Sequence, residues 1–379
     1  MKLKTSLLAT AATMAFAGSS SAQAIIDITG STAGRSTVDA TIKAELVGET
    51  VAWYNIDPAK NTTSSSSCDG AIYKGGTLGG VPVTVRTFWS GSAAGVRDVS
   101  GQLQLNNKFL ATTVTPAGAE LEGVNIVLAP ASTNTVAEFG FSDVKQTATD
   151  YQASPLVDQE SVLVIPFRFV ASESMPAGVT NITSQQAVTH FTKGGETPLS
   201  LFTGNAGDVG TLVYALGRDD DSGTRITALA ETGAGVFTQM SQYLGTVTGT
   251  EPGATLAIGA FVGNGGYASG GDLQARLSAS GPLAISYLGI SDASTALGNG
   301  AKALTYNGTA YSTAAVQNGS YTYWSYYQQI RMGLPAGPAL NLYNTTKTNL
   351  KALATGTSTI KLTDMKVERA ADGATVTPL

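Results

Sequence analysis

Runs of apolar residues alternate along this chain with short loops rich in Gly, Ser and Thr. Three such runs, at residues 25–30, 81–89 and 209–216, are predicted to be β-strands. Each run is followed by a small-residue loop and then by a helical pattern, and at 36–46 the apolar residues recur at four-residue spacing. Strand, loop and helix in this order are typical of α/β proteins, so we predict that class.

The same patterns predict further elements. An apolar run at 161–170, interrupted by Pro166, predicts a long strand, and a last strand is predicted at 357–368. The capping-box pattern Thr183-Ser-Gln-Gln186 predicts a helix that ends near Gly194. The stretch at 55–80, rich in Ser, Thr and Gly, is predicted to be an inserted loop or hairpin, and the stretch at 100–130 an insertion that carries a hairpin. Residues 262–271 are predicted to be a flexible loop.

Composition argues against several classes of function. The 379 residues carry a formal net charge of −5 and include one Cys and one His. This mild acidity gives no electrostatic footprint for nucleic acid. One Cys cannot form an intramolecular disulfide, and one Cys with one His argues against a zinc site or a Cys–His catalytic pair. We predict that Cys68 is an incidental loop thiol and that His190 is a surface or core-edge residue of a helix.

The N-terminus has the pattern of a secretory signal peptide. Lys2 and Lys4 precede an apolar segment at 7–16, and Ala22-Gln-Ala24 is a small-residue cleavage site. We therefore predict cleavage after Ala24. No later run reaches the roughly 18 apolar residues of a membrane helix. The mature protein is expected to be periplasmic or secreted, without a membrane span.

The stretch at 214–225 combines the features of an anion site. Ser222 or Thr224 can cap the free N–H groups of the helix that follows, and Gly223 allows a ligand to approach the backbone closely. Those N–H groups lie at the positive end of the helix dipole, which favours anions. Arg218 adds a planar guanidinium group, whose paired N–H donors suit phosphate or carboxylate oxygens. The alternative is an Asp-rich surface turn before a capped helix.

This stretch also resembles the signature Arg-x-Asp-x-Ser-Gly-Thr of the PstS-like phosphate-binding proteins of ABC transporters. It matches the signature at Arg218, Asp220, Ser222, Gly223 and Thr224. Four further segments resemble motifs of that family in the same order along the chain: Thr29-Gly-Ser-Thr-Ala33, Ser90-Gly-Ser-Ala-Ala-Gly-Val-Arg97, Phe139-Gly-Phe-Ser-Asp143 and Gly281-Pro-Leu-Ala-Ile-Ser-Tyr-Leu-Gly289. Five matches in order are more specific than any one of them.

The resemblance implies a set of ligand-binding residues: Ser31, Thr32, Ser92, Asp143, Arg218, Ser222, Gly223 and Thr224. Ser90 is the alternative to Ser92, because Ala93 replaces the second Ser of the family's loop. Asp220 is expected to hold Arg218 in place, as its counterpart does in the family. No metal or cofactor is implied.

The resemblance also implies the fold and the function. We expect a type II periplasmic-binding-protein fold, in which two α/β lobes, each a mixed sheet flanked by helices, enclose a ligand cleft. Lobe 1 is predicted to comprise 25–165 and 320–379 and lobe 2 to comprise 166–319, with the first hinge at 161–170 and buried aromatics in a return crossover at 306–327. A monomer that captures inorganic phosphate or a similar oxyanion for an ABC permease, without enzymatic activity, is the expected function.

Departures from the family keep two alternatives open. Gly34 and Arg35 replace an aromatic residue after the first loop, and Ala93 removes a hydroxyl from the second. A secreted surface or matrix protein that keeps the fold without a transport role is one alternative, favoured by the insertions rich in Ser, Thr and Gly. A secreted phosphatase on the same scaffold is the other, although the sequence shows neither a metal-ligand cluster nor a nucleophile–base pair.

Overall fold

The computed structural model of the protein describes residues 23–56, 64–101, 107–116, 126–129, 135–356 and 358–379. The predicted signal peptide lies outside the described residues except for Gln23 and Ala24, and so does much of the predicted insertion at 100–130.

Strands and helices alternate along most of the described chain. The strands are β1 (Ala24–Gly30), β2 (Thr50–Tyr54), β3 (Gly70–Lys74), β4 (Thr77–Leu78), β5 (Val81–Phe88), β6 (Phe139–Ser142), β7 (Asp158–Ala171), β8 (Asn181–Ile182), β9 (Glu196–Pro198), β10 (Leu212–Ala215), β11 (Tyr243–Thr248), β12 (Thr255–Phe261), β13 (Leu283–Gly289), β14 (Lys302–Ala303), β15 (Thr305–Tyr306), β16 (Trp324–Arg331), β17 (Val367–Glu368) and β18 (Thr377–Pro378). The helices are α1 (Arg35–Glu45), α2 (Ser92–Ser100), α3 (Ser184–Thr192), α4 (Ser200–Thr203), α5 (Gly223–Thr232), α6 (Gly270–Ser278), α7 (Ile290–Gly298), α8 (Thr313–Gln317) and α9 (Gly337–Ala352).

The main sheet contains 12 strands of mixed direction. Its order is β2-β3-β5-β1-β6-β16-β7-β13-β10-β9, with β4 paired to β5 and β14 paired to β7. Strand β1 pairs in parallel with β5 and β6, whereas β16 and β7 are antiparallel. Helix α2 lies against β1 and β6, and α6 packs on α7 beside β13. This mixed sheet flanked by helices confirms the predicted α/β class.

Strand β7 belongs to both halves of the sheet. It pairs with β16 as far as Pro166 and with β13 from Phe167 onwards. We call the half with β1–β6 and β16 lobe 1, and the half with β9, β10, β13 and β14 lobe 2. The exact residue boundary of the lobes stays a prediction, which the change of partner at Pro166 supports.

Aromatic side chains fill the region where the chain returns between the lobes. The following rings are at most 2% exposed: Tyr306, Tyr321, Tyr323, Trp324 and Tyr327. Tyr327 stacks on Phe141 with ring centres 5.7 Å apart, and Tyr323 stacks on Phe169 at 4.9 Å. Burying one large apolar side chain contributes about 1.5–3 kcal/mol, so these rings stabilise the junction of the lobes. Their burial confirms the interpretation drawn from the sequence.

Two residues lie deeper than the sequence predicted. Cys68 is fully buried in the main core and is not an incidental loop thiol. His190 is on a helix, as predicted, but it is also fully buried, between the rings of Phe191 and Phe202. Burial lowers the pKa of His190 to about 3, so the imidazole is neutral, with Nδ1 2.8 Å from Thr197 Oγ1. Packing from distant segments decides both positions.

Two stretches differ from the elements predicted. The strand expected at 357–368 is interrupted, because Leu362–Asp364 form a 3-10 helix and only Val367–Glu368 form β17. Ile360 pairs with Val164 as an isolated bridge. The Gly-rich stretch before residue 262 contains the antiparallel hairpin of β11 and β12, which the sequence did not predict.

The end of the chain contacts both lobes. Residues 365–379, which we call the C-terminal strap, include Arg369 and Asp372. Arg369 pairs with Glu231 of α5 in lobe 2 at 3.1 Å. The Asp372 carboxylate accepts a hydrogen bond from the backbone N–H of Lys145, just after β6 of lobe 1, at 2.7 Å. The strap thus joins the lobes on a route separate from β7.

Candidate anion-binding site

Three strands of the two lobes, β1, β5 and β10, lead into helices that begin at the same cleft. After β1, Ser31 caps a short 3-10 helix by accepting a hydrogen bond from the Ala33 N–H at 3.3 Å, and α1 follows. After β5, α2 begins at Ser92. The Ser92 N–H therefore belongs to a helix start, where a backbone N–H group favours an anion.

The third helix start follows the loop between β10 and α5, residues 216–222, which we call the arginine loop. Ser222 is the cap, since its hydroxyl accepts a hydrogen bond from the Arg225 N–H at 3.4 Å. Gly223 then begins α5. A Cβ at this glycine would lie 2.3 Å from Ser92 Oγ and 2.8 Å from Asp143 Oδ2. Only glycine allows the two lobes to approach this closely here.

The loops of the two lobes are in direct contact. The Ala93 N–H donates a hydrogen bond to the carbonyl of Asp221 at 3.0 Å. Gly91 has a φ of 127°, and an added Cβ would lie 2.3 Å from the same carbonyl oxygen. The structure therefore has the cleft in a closed arrangement at this point.

A cavity of about 380 Å³ lies where the three loops meet. It is lined by all eight residues that the resemblance implied: Ser31, Thr32, Ser92, Asp143, Arg218, Ser222, Gly223 and Thr224. Ser92 lines this cavity, whereas Ser90, its alternative, is outside the lining. The lining residues come from both lobes, so a ligand held here would join them.

Asp143 provides a buried carboxyl group at the cavity. It is 2% exposed, and its Oδ1 accepts a hydrogen bond from the Ser92 hydroxyl at 2.5 Å. Burial raises the pKa of Asp143, although hydrogen bonds from Ser31 and Ser92 and the charge of Arg218 act in the opposite direction. The cavity is therefore bordered by a carboxyl group that is shielded from water.

Arg218 is held in place before a ligand binds. Its Nε donates to the Tyr267 carbonyl at 3.0 Å and its Nη2 to the Ala268 carbonyl at 2.7 Å. Those two bonds leave other N–H groups of the guanidinium for a ligand in the cavity that it lines. Asp220 was expected to hold this arginine, but it is exposed and lines a separate cavity of about 130 Å³. The carbonyls of a loop distant in sequence take that role instead.

Arg97 is buried beside the site. It is 5% exposed and pairs with Asp98 at 3.0 Å and with Asp221 at 3.1 Å. Burial by itself lowers the pKa of Arg97. The two carboxylates act in the opposite direction with a larger combined effect, so the pKa of Arg97 lies above its ordinary value. Because α2 and the arginine loop belong to different lobes, the Arg97–Asp221 pair is an ionic contact between them.

Many of the lining residues were not predicted from the sequence. They are Arg35, Ser36, Ser66, Ser67, Ile165, Phe167, Ser269, Gly270, Gly271, Gly289, Ile290, Ser291, Asp292, Ser358 and Thr359. One signal was present, because Ser269 caps α6 by accepting from the Asp272 N–H at 3.2 Å, a spacing typical of helix starts. Nothing local marks Ser66 or Ser358 as cleft residues, since the fold brings them there.

The described ranges provide neither a cluster of metal ligands nor a helix suited to cross a membrane. These contain no group of three or more His, Cys, Asp or Glu residues arranged to hold a metal ion. Among the helices of the described residues, none is both long and apolar enough to cross a membrane.

No protein-family model and no curated protein matches this sequence. Solved structures do match it. A Clostridium perfringens protein, assigned as a phosphate ABC transporter substrate-binding protein and solved with bound phosphate, is 15% identical, with 89% of this chain and 99% of that chain covered and a TM-score of 0.50. An ABC-type phosphate transport receptor from Vibrio cholerae is 13% identical, with 86% and 94% covered and a TM-score of 0.44. The chain therefore shares the two-lobed periplasmic-binding-protein fold of the Clostridium perfringens phosphate ABC transporter substrate-binding protein.

Proposed function

We propose that this protein is an exported solute-binding protein that captures inorganic phosphate, or a similar tetrahedral oxyanion, for an ABC-type uptake system. The observation that carries the proposal is the convergence of Arg218, Asp143 and three helix starts on one cavity between the lobes. The fold shared with the Clostridium perfringens protein supports it at the level of architecture.

The chemistry of the lining suits a tetrahedral anion. Backbone N–H groups at the starts of α2 and α5 present partial positive charge, and Arg218 adds a full one. The protein as a whole carries a net charge of −5, so attraction has to come from this local geometry and not from the overall field. Hydroxyl groups of Ser31, Thr32 and Thr224 can complete the coordination.

Asp143 is the group that we expect to favour phosphate over sulfate. Near neutral pH phosphate still carries a proton that it can donate to the carboxylate, whereas sulfate carries none. Two oxygen atoms without a proton between them repel each other, which disfavours sulfate. The burial of Asp143 strengthens this discrimination, because water cannot replace the missing proton donor.

The residues that line the cavity favour a binding role over hydrolysis. The single His of the sequence, His190, is buried with a lowered pKa and does not line the cavity. The described lining therefore provides donors for an anion but no imidazole base to activate a nucleophile. The ligand contacts both lobes, so its release requires them to separate, as delivery to a permease demands.

Calorimetry on the mature, ligand-stripped protein tests the proposal. We expect phosphate to bind and to raise the melting temperature, since a ligand at about 100 times its Kd adds about 2.7 kcal/mol to the free energy of unfolding. Sulfate is expected to bind more weakly. A protein proven free of ligand whose melting temperature ignores millimolar phosphate would contradict the proposed function.

A further inference from the structure

The cavity is larger than inorganic phosphate requires. At a share of about 30 Å³ per oxygen, as in liquid water, the four oxygens of phosphate would occupy roughly 120 Å³. The cavity measures about 380 Å³, which is in the range of sites for small organic ligands, about 300–1,000 Å³. About two thirds of its volume would remain once phosphate had bound beside Arg218 and Asp143.

The rest of the lining, which we call the outer part of the cavity, is rich in hydroxyl groups. Lobe 1 contributes Ser36, Ser66 and Ser67, lobe 2 contributes Ser269 and Ser291, and the segment before the strap contributes Ser358 and Thr359. Arg35 and Asp292 add one charge of each sign. The Arg35 guanidinium is fixed at the edge of this region, since its Nη1 donates to the Cys68 carbonyl at 3.0 Å. Such a lining both donates and accepts hydrogen bonds.

The lining also limits what could occupy the outer part. Among the described lining residues Phe167 is the one aromatic residue, and it is 1% exposed, so it offers no open ring face for a nucleobase. The apolar lining side chains are outnumbered by hydroxyl groups, and they are Ala33, Ile165, Phe167 and Ile290. A small molecule with several hydroxyl groups fits this chemistry better than a base or an acyl chain does.

We propose that the site takes a phosphate monoester of a small polyhydroxy alcohol, with the phosphoryl group beside Arg218 and the alcohol in the outer part of the cavity. This inference rests on the proposed function, because the phosphoryl group would occupy the same anion site beside Arg218 and Asp143. It extends the ligand from the bare anion to a class of organic phosphates, of which glycerol 3-phosphate is the probe.

The ester should bind with a different pH dependence from inorganic phosphate. A phosphate monoester loses its last proton near pH 6. Asp143 faces Arg218, Ser31 and Ser92, and the neutral Tyr327 phenol and the Asp372 carboxyl group also lie close enough to interact with it. One proton must therefore be shared between Asp143 and the ester, and the ester's affinity should fall as pH rises above about 6, approaching tenfold per unit. Inorganic phosphate still has a proton to give in this range.

A substitution at Gly271 can fill the outer part of the cavity without changing the residues around Arg218 and Asp143. This residue lines the cavity, and a Cβ there would meet only Ser269 Oγ, at 3.7 Å, so a larger side chain enters open space. Gly271→Leu should fill the outer part, and Leu also favours the helix α6. Gly210→Leu is the matched control, because Gly210 is exposed, has no atom within 4 Å of an added Cβ and does not line the cavity.

Calorimetry with inorganic phosphate, glycerol 3-phosphate and propyl phosphate on the three ligand-stripped proteins decides the matter. We expect glycerol 3-phosphate to bind the unmodified protein at least about tenfold more tightly than propyl phosphate, which has the same length without hydroxyl groups, since each net hydrogen bond contributes about 1 kcal/mol. Gly271→Leu should weaken glycerol 3-phosphate at least about tenfold and leave inorganic phosphate within about twofold. Gly210→Leu should change neither.

The outcomes separate the two proposals. Binding of inorganic phosphate without either ester would overturn the ester inference and leave the proposed function standing. Equal binding of the two esters would overturn the role of the outer hydroxyl groups, and equal losses of phosphate and ester in Gly271→Leu would overturn the division of the cavity. If none of the three ligands binds, the proposed function itself is wrong.

Discussion

Arg218 is the residue from which we expect the largest contribution to anion binding. Two backbone carbonyls hold its guanidinium in place, so little side-chain freedom remains to be lost on binding. Arg218→Ala should cost about 2–5 kcal/mol, which raises the Kd for phosphate by about 30-fold or more. Calorimetric titration measures this change. Arg331→Ala is the control, because this arginine of β16 pairs with Asp158 away from the cavity, and a similar loss there would mean that Arg218 is misassigned.

Asp143 is expected to set the preference between oxyanions. Asp143→Asn replaces an acceptor-only group with an amide that can also donate to sulfate. The ratio of phosphate to sulfate affinity should therefore fall by about tenfold, the value of one charge-assisted hydrogen bond. Competition calorimetry with the two anions gives the ratio. Asp220→Asn, at an exposed position outside this cavity, should leave the ratio as it was, and an unchanged ratio in Asp143→Asn would refute the role of this carboxyl group.

Among the elements, α2 and the arginine loop are joined by the Arg97–Asp221 pair, with 3.1 Å between Nη1 and Oδ2. Opening of the cleft has to break this contact, so it stabilises the closed form. Asp221→Asn should speed phosphate release by about tenfold, equivalent to about 1.4 kcal/mol, as measured by stopped-flow fluorescence. The neighbouring Asp220→Asn is the matched control. Release at the same rate in both variants would show that the pair does not act on closure.

The elements that could be predicted are those whose signals are local. Helices α1 and α5 each begin after a strand and a loop of small and polar residues, and the cap at Ser222 is visible in the sequence. The eight cavity residues could be named because they lie in motifs that resemble a known family. The burial of Arg97 could not be read in this way, because its partner Asp221 is 124 residues away.

The errors in predicted secondary structure also arise from contacts between segments that are distant in sequence. The hairpin of β11 and β12 is interrupted by glycines such as Gly245 and Gly259, which weaken a strand pattern although pairing partners stabilise it in the fold. The segment around Leu362 alternates like a strand but has no continuous partner. Sheet pairing depends on neighbours that a single sequence does not identify.

At the scale of the whole molecule, buried carboxyl groups should make stability depend on pH. Burial raises the pKa of Glu138 to about 7 and that of Asp98 to about 6. Above the ordinary pKa of an unfolded carboxyl group, about 4, the folded protein binds more protons than the unfolded chain, so the free energy of unfolding falls as pH rises towards about 7. We expect a loss on the order of 4 kcal/mol between about pH 5 and about pH 8, about two thirds of it from Glu138.

Urea denaturation across this range measures the effect. Glu138→Gln should flatten the dependence, because the amide does not titrate, whereas Glu368→Gln at an exposed position should keep it. A free energy of unfolding that instead rises with pH would mean that other groups dominate the titration.

The C-terminal strap has a kinetic consequence. It ties the end of α5, through Glu231 and Arg369, to the backbone just after Asp143, through Asp372 and Lys145. The helix whose first turn lines the cavity is thus connected at its far end to the lobe that carries the opposing carboxyl group. Any swing of the lobes must stretch this tether or detach it. If the lobes separate to release a ligand, the angle to which the cleft opens would be limited by a segment that lies outside the cavity.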